Sequence, residues 1–382
     1  MTTSSVALFI DPPTYHFEHD RLFELEAAPV SGDAILTPFI HLRKVLNEQG
    51  VEVHTADQLK SGDGRRAGAN LYMSLGIRRS YAKLAESVTL SAFFVPECPV
   101  ADPRLYEDLS EVSGYFKRMY SFSTDEAVRP FLREPISFRP FRYPYPFNDV
   151  DQAAWSIRDR RFLVIINANK VPRLHARELY TERLLAIEYF SRTGSIDLYG
   201  IGWDRPPVRI GSTRVPRSLG LLQYRARCWW HDRFDDPEPL VAAARSVYRG
   251  PVASKLQTLA RYRFALCFEN QILDGWVTEK MFDCFRAGAI PIYLGAPDIE
   301  EWVPRECFID MRDFRDYGEL RDYLGALTPA ECDAYRQAAR DYMTSERFFP
   351  FTKEAFTEIV ASIVKEDSGV PLQGANRVLG PR

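Results

Sequence analysis

Apolar residues along this chain gather into short runs that alternate with amphipathic stretches. Val6–Ile10 is an apolar run stopped by Asp11-Pro12-Pro13. Pro38–Gln49 sets Phe39, Ile40, Leu42, Val45 and Leu46 at helical spacing ahead of Gly50, and Val51–His54 reads as the next strand. Strand, helix, strand is the unit of a parallel sheet. Leu71–Leu75, Val88–Val95 and Met119–Phe122 extend the strand series, with a short helix at Tyr81–Ser87 and a loop rich in Gly, Asp and Arg at Gly62–Gly68. Prolines at 130, 135, 140, 144 and 146 then interrupt the pattern, and the stretch from Arg129 to Asp151 is expected to hold no regular structure and to end in a domain linker.

A second alternation follows. Phe162–Ile166, Ile196–Tyr199, Phe264–Phe268, Ile290–Leu294 and Phe308–Asp310 read as strands. Arg177–Phe190, with Leu184, Leu185, Ile187 and Phe190 as its apolar face, and Val252–Tyr262 and Val277–Ala287 read as helices. Residues 203–237, rich in arginine and carrying Trp229-Trp230, read as a long irregular stretch. Helices at Tyr317–Leu324, Pro329–Thr344 and Thr352–Lys365 precede a loose tail from Glu366 to Arg382. The expected fold class is therefore α/β, with two Rossmann-like parallel-sheet lobes and an interdomain cleft. The lobes are expected at 1–155 and 156–346, with 347–382 as a C-terminal helix packing back on the first lobe and a tail. In open parallel sheets ligands sit beyond the carboxyl ends of the strands, which directs attention to the residues after each strand.

Length and charge narrow the picture. At 382 residues, two domains are expected. The net charge of −3 speaks against a nucleic-acid partner and against lying on an anionic membrane. Apolar runs reach only strand length, so no transmembrane segment is expected, and Met1–Ser5 lacks the basic start of a signal peptide. The six cysteines are far apart and form no C-x-x-C, which fits a reduced, cytoplasmic protein.

The densest chemistry lies in Arg263–Lys280. Glu269 and Asn270 follow an apolar strand, a loop containing Gly275 comes next, and Thr278 is placed to N-cap a helix with Glu279 and Lys280 in its first turn. A helix N-terminus offers free N–H groups and partial positive charge, and Lys280 adds a full charge, a combination suited to phosphate. Glu279 can accept from sugar or ribose hydroxyls, and Trp276 can stack on a ring. The plain alternative is a capped helix with a solvated Glu–Lys pair. Arg183, on the helix after the first strand of the second lobe, can reach the same edge or be a surface arginine. Glu97 follows Val88–Val95 and is either a general base at a strand's carboxyl end or an ordinary loop glutamate.

Other signals fail. Gly200-Ile-Gly202 meets Arg205 where a dinucleotide fingerprint needs glycine, which disfavours a dehydrogenase. Asp149-Val-Asp151 has the D-x-D form that holds a metal in some sugar transferases, but lies in the proline-rich stretch. His16 and His19 are close without acidic neighbours at fixed offsets, and the six histidines show no ligand spacing. Arg205–Arg217 reads as a basic flap or a solvated loop.

From Ala260 to Phe314 these motifs resemble the donor-binding signature of the α-1,3/α-1,4-fucosyltransferase family, glycosyltransferase family 10. The residues are Phe268-Glu-Asn, Trp276-Val-Thr-Glu-Lys, Ala287-Gly-Ala-Ile-Pro-Ile-Tyr-Leu-Gly-Ala-Pro, Phe308-Ile-Asp and Asp313-Phe. The likeness runs more faintly back through Asp197–Gly200 and Arg183–Glu188 to Phe162. It implies a GT-B fold, GDP-fucose as co-substrate, a glycan acceptor, inversion at the sugar carbon, and no cofactor or obligatory metal. Arg183 matches a phosphate-contacting arginine, and Asn270, Glu279 and Lys280 match donor-contacting positions. Trp276 stands where a tyrosine is common, and Glu97 in Glu-Cys-Pro matches the base of an E-S-P-like motif. The resemblance leaves open a transferase of another GDP-sugar, a non-catalytic nucleotide-sugar-binding protein, and a peripheral position at the inner membrane.

Overall fold

The computed structural model describes residues 5–27, 34–61, 68–76, 80–122, 128–173, 176–211, 217–234 and 238–372. The loop expected at Gly62–Gly68, His175 and the end of the tail fall largely or wholly outside these residues, as does part of the Arg205–Arg217 stretch. The chain divides into two compact units, the first comprising Met1–Glu97, Arg104–Asn148 and Glu346–Arg382, the second Cys98–Pro103 and Asp149–Ser345.

In the first unit, β1 (Ser5–Asp11), β2 (Val51–Thr55), β3 (Gly68–Ser74), β4 (Thr89–Val95), β5 (Arg118–Ser121) and β6 (Ser137–Pro140) form a parallel sheet in the order β2-β1-β3-β4-β5-β6. Its inner strands are largely buried on both faces, as in a sheet that helices cover on both sides, while the edge strands β2 and β6 are partly exposed. One side packs Phe9, Tyr72, Phe93 and Met119 with Leu105 and Leu109 of the helix Pro103–Val112. β6 departs from the expectation for the proline-rich stretch. It lies at the sheet edge against β5 alone, where Pro140 can close a strand without removing a needed ladder bond.

The C-terminal helix Lys353–Ser368 is part of this same unit. Thr352 caps it by accepting from Ala355 N at 3.1 Å, and Gly369 ends it at φ +73°. It packs on the helix Thr37–Glu48, with Phe356 edge-on to Phe39 at 5.5 Å. Asp367, at its end, accepts from Arg118 at 2.9 Å.

In the second unit, β7 (Arg161–Ile166), β9 (Ile196–Tyr199), β11 (Tyr262–Phe268), β12 (Ile290–Leu294) and β13 (Ile309–Asp310) form a parallel sheet in the order β13-β12-β11-β7-β9. β8 (Lys170–Pro172) and β10 (Val208–Ile210) pair separately. The chain moves from β7 outward to β9, then returns to the other side of β7 as β11, so the strand order reverses between β7 and β11. That reversal opens a crevice at the strands' carboxyl ends. The short helix Gln152–Trp155 belongs here, with Trp155 Nε1 donating to Phe285 O at 3.0 Å, so the units part after Asn148, just ahead of residue 155.

Residues 203–237 are not irregular throughout. They hold β10 and the 18-residue helix Arg217–Phe234. Arginine is a good helix former, and a long arginine-rich segment with few breakers can be helical without an apolar core face.

Gly200 closes β9 at φ +138°, and a Cβ there would lie 1.9 Å from Asn167 O. Gly200→Ala combines an unfavourable backbone conformation with a backbone clash. It should cost about 2 kcal/mol in urea unfolding, and an unchanged midpoint would show that the turn relaxes freely.

Candidate functional site

The best-built constellation lies where β11 leaves the sheet, beside the β7–β11 reversal. Phe268 ends the strand, and Glu269 N donates to Leu294 O at 2.8 Å, prolonging the β11–β12 ladder by one bond. The Glu269 side chain is 0% exposed. A buried carboxylate needs donors, and it has them. Oε1 accepts from Thr278 N at 3.0 Å and from Thr278 Oγ1 at 2.8 Å, while Oε2 accepts from Lys280 Nζ at 2.6 Å. Glu269 thus ties the strand end to the start of the helix Glu279–Ala287. The fit is close: a Cβ on Gly295 would come within 2.6 Å of both Glu269 Cγ and Tyr293 Oη.

Thr278 occupies the N-cap position, but its hydroxyl makes no cap bond and turns to Glu269 instead. The expected side-chain cap is therefore absent. Lys280, a residue that the helix dipole disfavours in a first turn, is held there by the buried carboxylate.

Arg183 lies on the helix Tyr180–Ser191, which follows the β7–β8 region. Its position is set by the segment before it: Leu179 N donates to Asn270 O at 3.1 Å and Ile272 N to Arg177 O at 2.9 Å. The guanidinium is 3% exposed and faces the end of β11. Nη2 donates to Phe268 O at 2.7 Å, Glu269 O at 2.6 Å and Asn270 Oδ1 at 3.0 Å, and Nε to Phe268 O at 3.2 Å. Burial pushes its pKa down, partly offset by Tyr180 and Glu269, and a guanidinium remains charged at neutral pH. The fork that a guanidinium can offer to a phosphate is thus spent on strand-end carbonyls. Nη1 alone makes no hydrogen bond among the described residues.

Asn270 follows from this. A guanidinium can only donate, so the Asn270 oxygen must face Arg183, and its NH₂ group points elsewhere with two donors. Arg183 and Lys280 therefore meet on one residue, Glu269, through its carbonyl and its carboxylate. Two cations against one carboxylate leave this inner group with an excess of one positive charge.

Glu279 is partly exposed. Burial tends to raise its pKa, but Lys255, 3.6 Å away, and Lys280 outweigh that and hold it below the usual carboxylate range. Lys255 also donates to Asp283 at 3.1 Å.

Trp276 is buried, beside Val277 and with its carbonyl accepting from Tyr293 Oη at 3.4 Å. Its indole belongs to the interior, so it offers no platform for stacking on a ring. Glu97 is partly exposed just beyond β4 in the first unit, and its carbonyl accepts from Tyr106 Oη at 2.9 Å. The next residues, Cys98–Pro103, belong to the second unit, where Val100 N donates to Gln271 Oε1 at 3.3 Å.

The D-x-D aspartates have structural partners. Asp151 caps Gln152–Trp155 by accepting from Ala154 N at 2.9 Å, and Asp149 accepts from Val150 N at 2.7 Å. Among the described residues no group of three His, Cys, Asp or Glu could hold a metal ion, and no helix is long and apolar enough to cross a membrane.

Glu269 and Gly295 are the residues sequence reasoning left without a role. Both lie in the quoted motifs, and a strand-end glutamate ahead of a Thr-x-Lys helix start is the signal that could have found Glu269.

The stretch of sequence that builds this site is similar to known proteins. Residues 242–357 match the sequence model described as glycosyltransferase family 10 (fucosyltransferase), C-terminal. An alpha-(1,3)-fucosyltransferase of Helicobacter pylori is 33% identical over 100 residues, covering 26% of this chain and 21% of that protein. A GDP-fucose protein O-fucosyltransferase 3 of Xenopus tropicalis is 46% identical over 70 residues, covering 18% and 15%. The chain thus aligns with about a fifth or less of these relatives' length. In fold, it resembles the Anabaena protein HepE, solved in complex with UDP and glucose, with a TM-score of 0.54, 9% identity, and coverage of 94% of this chain and 100% of that one. The matched stretch, residues 242–357, holds Glu269, Thr278 and Lys280, and over it this chain is similar to the glycosyltransferase family 10 fucosyltransferases.

Proposed function

We propose that this chain is an inverting glycosyltransferase that moves L-fucose from GDP-fucose to a glycan hydroxyl, without an obligatory metal. The observation that carries the reading is the Lys280 ammonium, held 2.6 Å from buried Glu269 at the carboxyl end of β11, beside the strand-order reversal of its sheet. As the sugar–phosphate bond breaks, the GDP leaving group gains negative charge. Lys280, the N-terminus of Glu279–Ala287 and the remaining N–H of Arg183 stabilise it. The Asn270 amide donates to donor oxygens and Glu279 accepts from donor hydroxyls. Glu97 takes the proton of the acceptor hydroxyl as its oxygen attacks the anomeric carbon. The family match and the names of the relatives support the donor assignment.

The test is a transfer assay combined with calorimetric binding, using GDP-fucose, GDP-mannose and UDP-glucose. GDP-fucose should bind and turn over, GDP-mannose should bind without efficient transfer, and UDP-glucose should do neither. Glu97→Gln should bind GDP-fucose as the parent does and transfer far more slowly. Preferred turnover of a UDP-sugar, or donor binding with no transfer to any glycan, would overturn the reading.

A further inference from the structure

The helix Arg217–Phe234 carries its apolar residues on the outside. Leu219, Leu222, Ala226, Trp229, Trp230 and Phe234 recur mainly at spacings of three and four, which places them on one face. That face is uncovered among the described residues: Leu222 is 63% exposed, and Trp229 and Trp230 are each 62% exposed. The partly buried side of the helix carries Tyr224, Cys228 and His231 instead. There the Arg245 guanidinium meets His231 Nε2 at 2.5 Å. The arrangement inverts that of an ordinary surface helix, which buries its apolar stripe. Trp230 and Phe234 rest against each other at 4.7 Å, so the aromatic end forms a joined patch.

Within the helix, the charges on this stripe and at its two borders are positive, while Asp232 lies outside it and Asp235, Asp236 and Glu238 follow in the sequence. At a helical turn of 100° per residue, Arg225 and Arg227 fall on its two borders and Arg233 within it. From 217 to 234 the sequence has four arginines and one aspartate. Large aromatic and aliphatic side chains with arginines at their margins are the pattern of a helix lying in a membrane interface. The rings sink to the acyl boundary while the long arginine stems let their guanidinium groups reach lipid phosphates. A chain of net charge −3 is not drawn to an anionic surface as a whole, but screening makes attraction local, so this basic stripe acts on its own. Neither Glu269, Thr278 nor Lys280 lies on this helix.

We propose that the outward face of Arg217–Phe234 docks the protein on an anionic lipid surface, with Leu222, Trp229, Trp230 and Phe234 inserted and Arg225, Arg227 and Arg233 on the headgroups. This goes beyond the donor reading and does not depend on it. The test is co-sedimentation of the full chain with phosphatidylcholine vesicles, with and without about a quarter phosphatidylglycerol. Binding to the anionic vesicles at low salt is expected, falling steeply as salt is raised, with a blue shift of tryptophan emission. W229S/W230S should weaken binding at least about tenfold. R225Q/R227Q/R233Q should weaken it about a hundredfold, at roughly fivefold per charge. L222E, measured separately, should also bind less. The proposal fails if the parent protein stays in the supernatant with anionic vesicles, or if it binds and these substitutions leave binding unchanged. It also fails if sedimentation velocity without lipid finds a dimer that W229S/W230S dissolves, because the face then receives a second copy of the chain.

Discussion

Lys280→Ala should lower turnover of GDP-fucose about 10²–10³-fold, the usual cost of removing one preorganised charge from a developing oxyanion. The argument rests on what holds the ammonium in place. Glu269 is wholly buried, and its Oε2 lies 2.6 Å from Lys280 Nζ. The lysine stem is therefore fixed at the first turn of Glu279–Ala287 before any ligand arrives, and little order is lost on binding. The same contact complicates the single variant. Removing the ammonium leaves a buried carboxylate with Thr278 as its remaining donor among the described residues, so stability should also fall, by about 1–3 kcal/mol. The double variant Lys280→Ala/Glu269→Gln separates the two effects. It removes the orphaned charge and should recover most of the stability while turnover stays low. Full activity and unchanged GDP affinity in Lys280→Ala would end the proposed mechanism. Recovery of turnover in the double variant would show that Lys280 serves the fold alone.

Much of this site is legible in the chain because it obeys local rules. β7 and β11 are apolar runs of strand length, Gly295 and Pro297 punctuate the loop after β12, and Thr278 stands where a helix must begin. The strand order that makes the β7–β11 crevice is less accessible. Alternating strands and helices imply a parallel sheet, but nothing in the spacing says on which side of β7 the third strand returns. Glu269 could be placed at a strand end from sequence, yet its inward turn depends on Gly295 leaving room beside it and on Thr278 and Lys280 arriving from the next helix.

Helix faces were the harder reading. The apolar face expected for Tyr180–Ser191 included Leu184 and Leu185, but Leu185 is exposed while Arg183, Ala186, Ile187 and Phe190 are buried. A buried arginine is invisible to apolar periodicity, because its burial is repaid by carbonyls from a strand distant in sequence. Trp276 is the converse case. A loop tryptophan near a charged motif looks available for stacking, but its large apolar ring has more to gain in the core. Arg217–Phe234 fails for a third reason: its stripe faces outward, so it packs against nothing that would identify it as a helix of the core.

Arg183 leads to the last expectation. Arg183→Ala should destabilise the protein by about 3–5 kcal/mol in chemical unfolding and abolish measurable GDP-fucose binding. The stability loss comes from acceptors left behind. Phe268 O and Glu269 O lose a charged donor at 2.7 and 2.6 Å in a buried setting. The packing of the guanidinium 4.6 Å from the Tyr180 ring centre is lost with them. The binding loss has another cause: with Oδ1 released, Asn270 is free to rotate, and its NH₂ group no longer has a fixed aim. Arg183→Lys distinguishes these effects. One ammonium keeps the charge and can serve a strand-end carbonyl, but lacks the planar fork that reaches Phe268, Glu269 and Asn270 together. It should regain at least half of the lost stability yet bind GDP-fucose about tenfold more weakly than the parent, the cost of roughly one hydrogen bond to a charged group. A lysine variant with parental affinity would show that charge alone suffices at this position. An alanine variant that unfolds at the parental midpoint would show that the strand-end carbonyls find other donors, and the account of Arg183 as the residue that sets Asn270 would have to be given up.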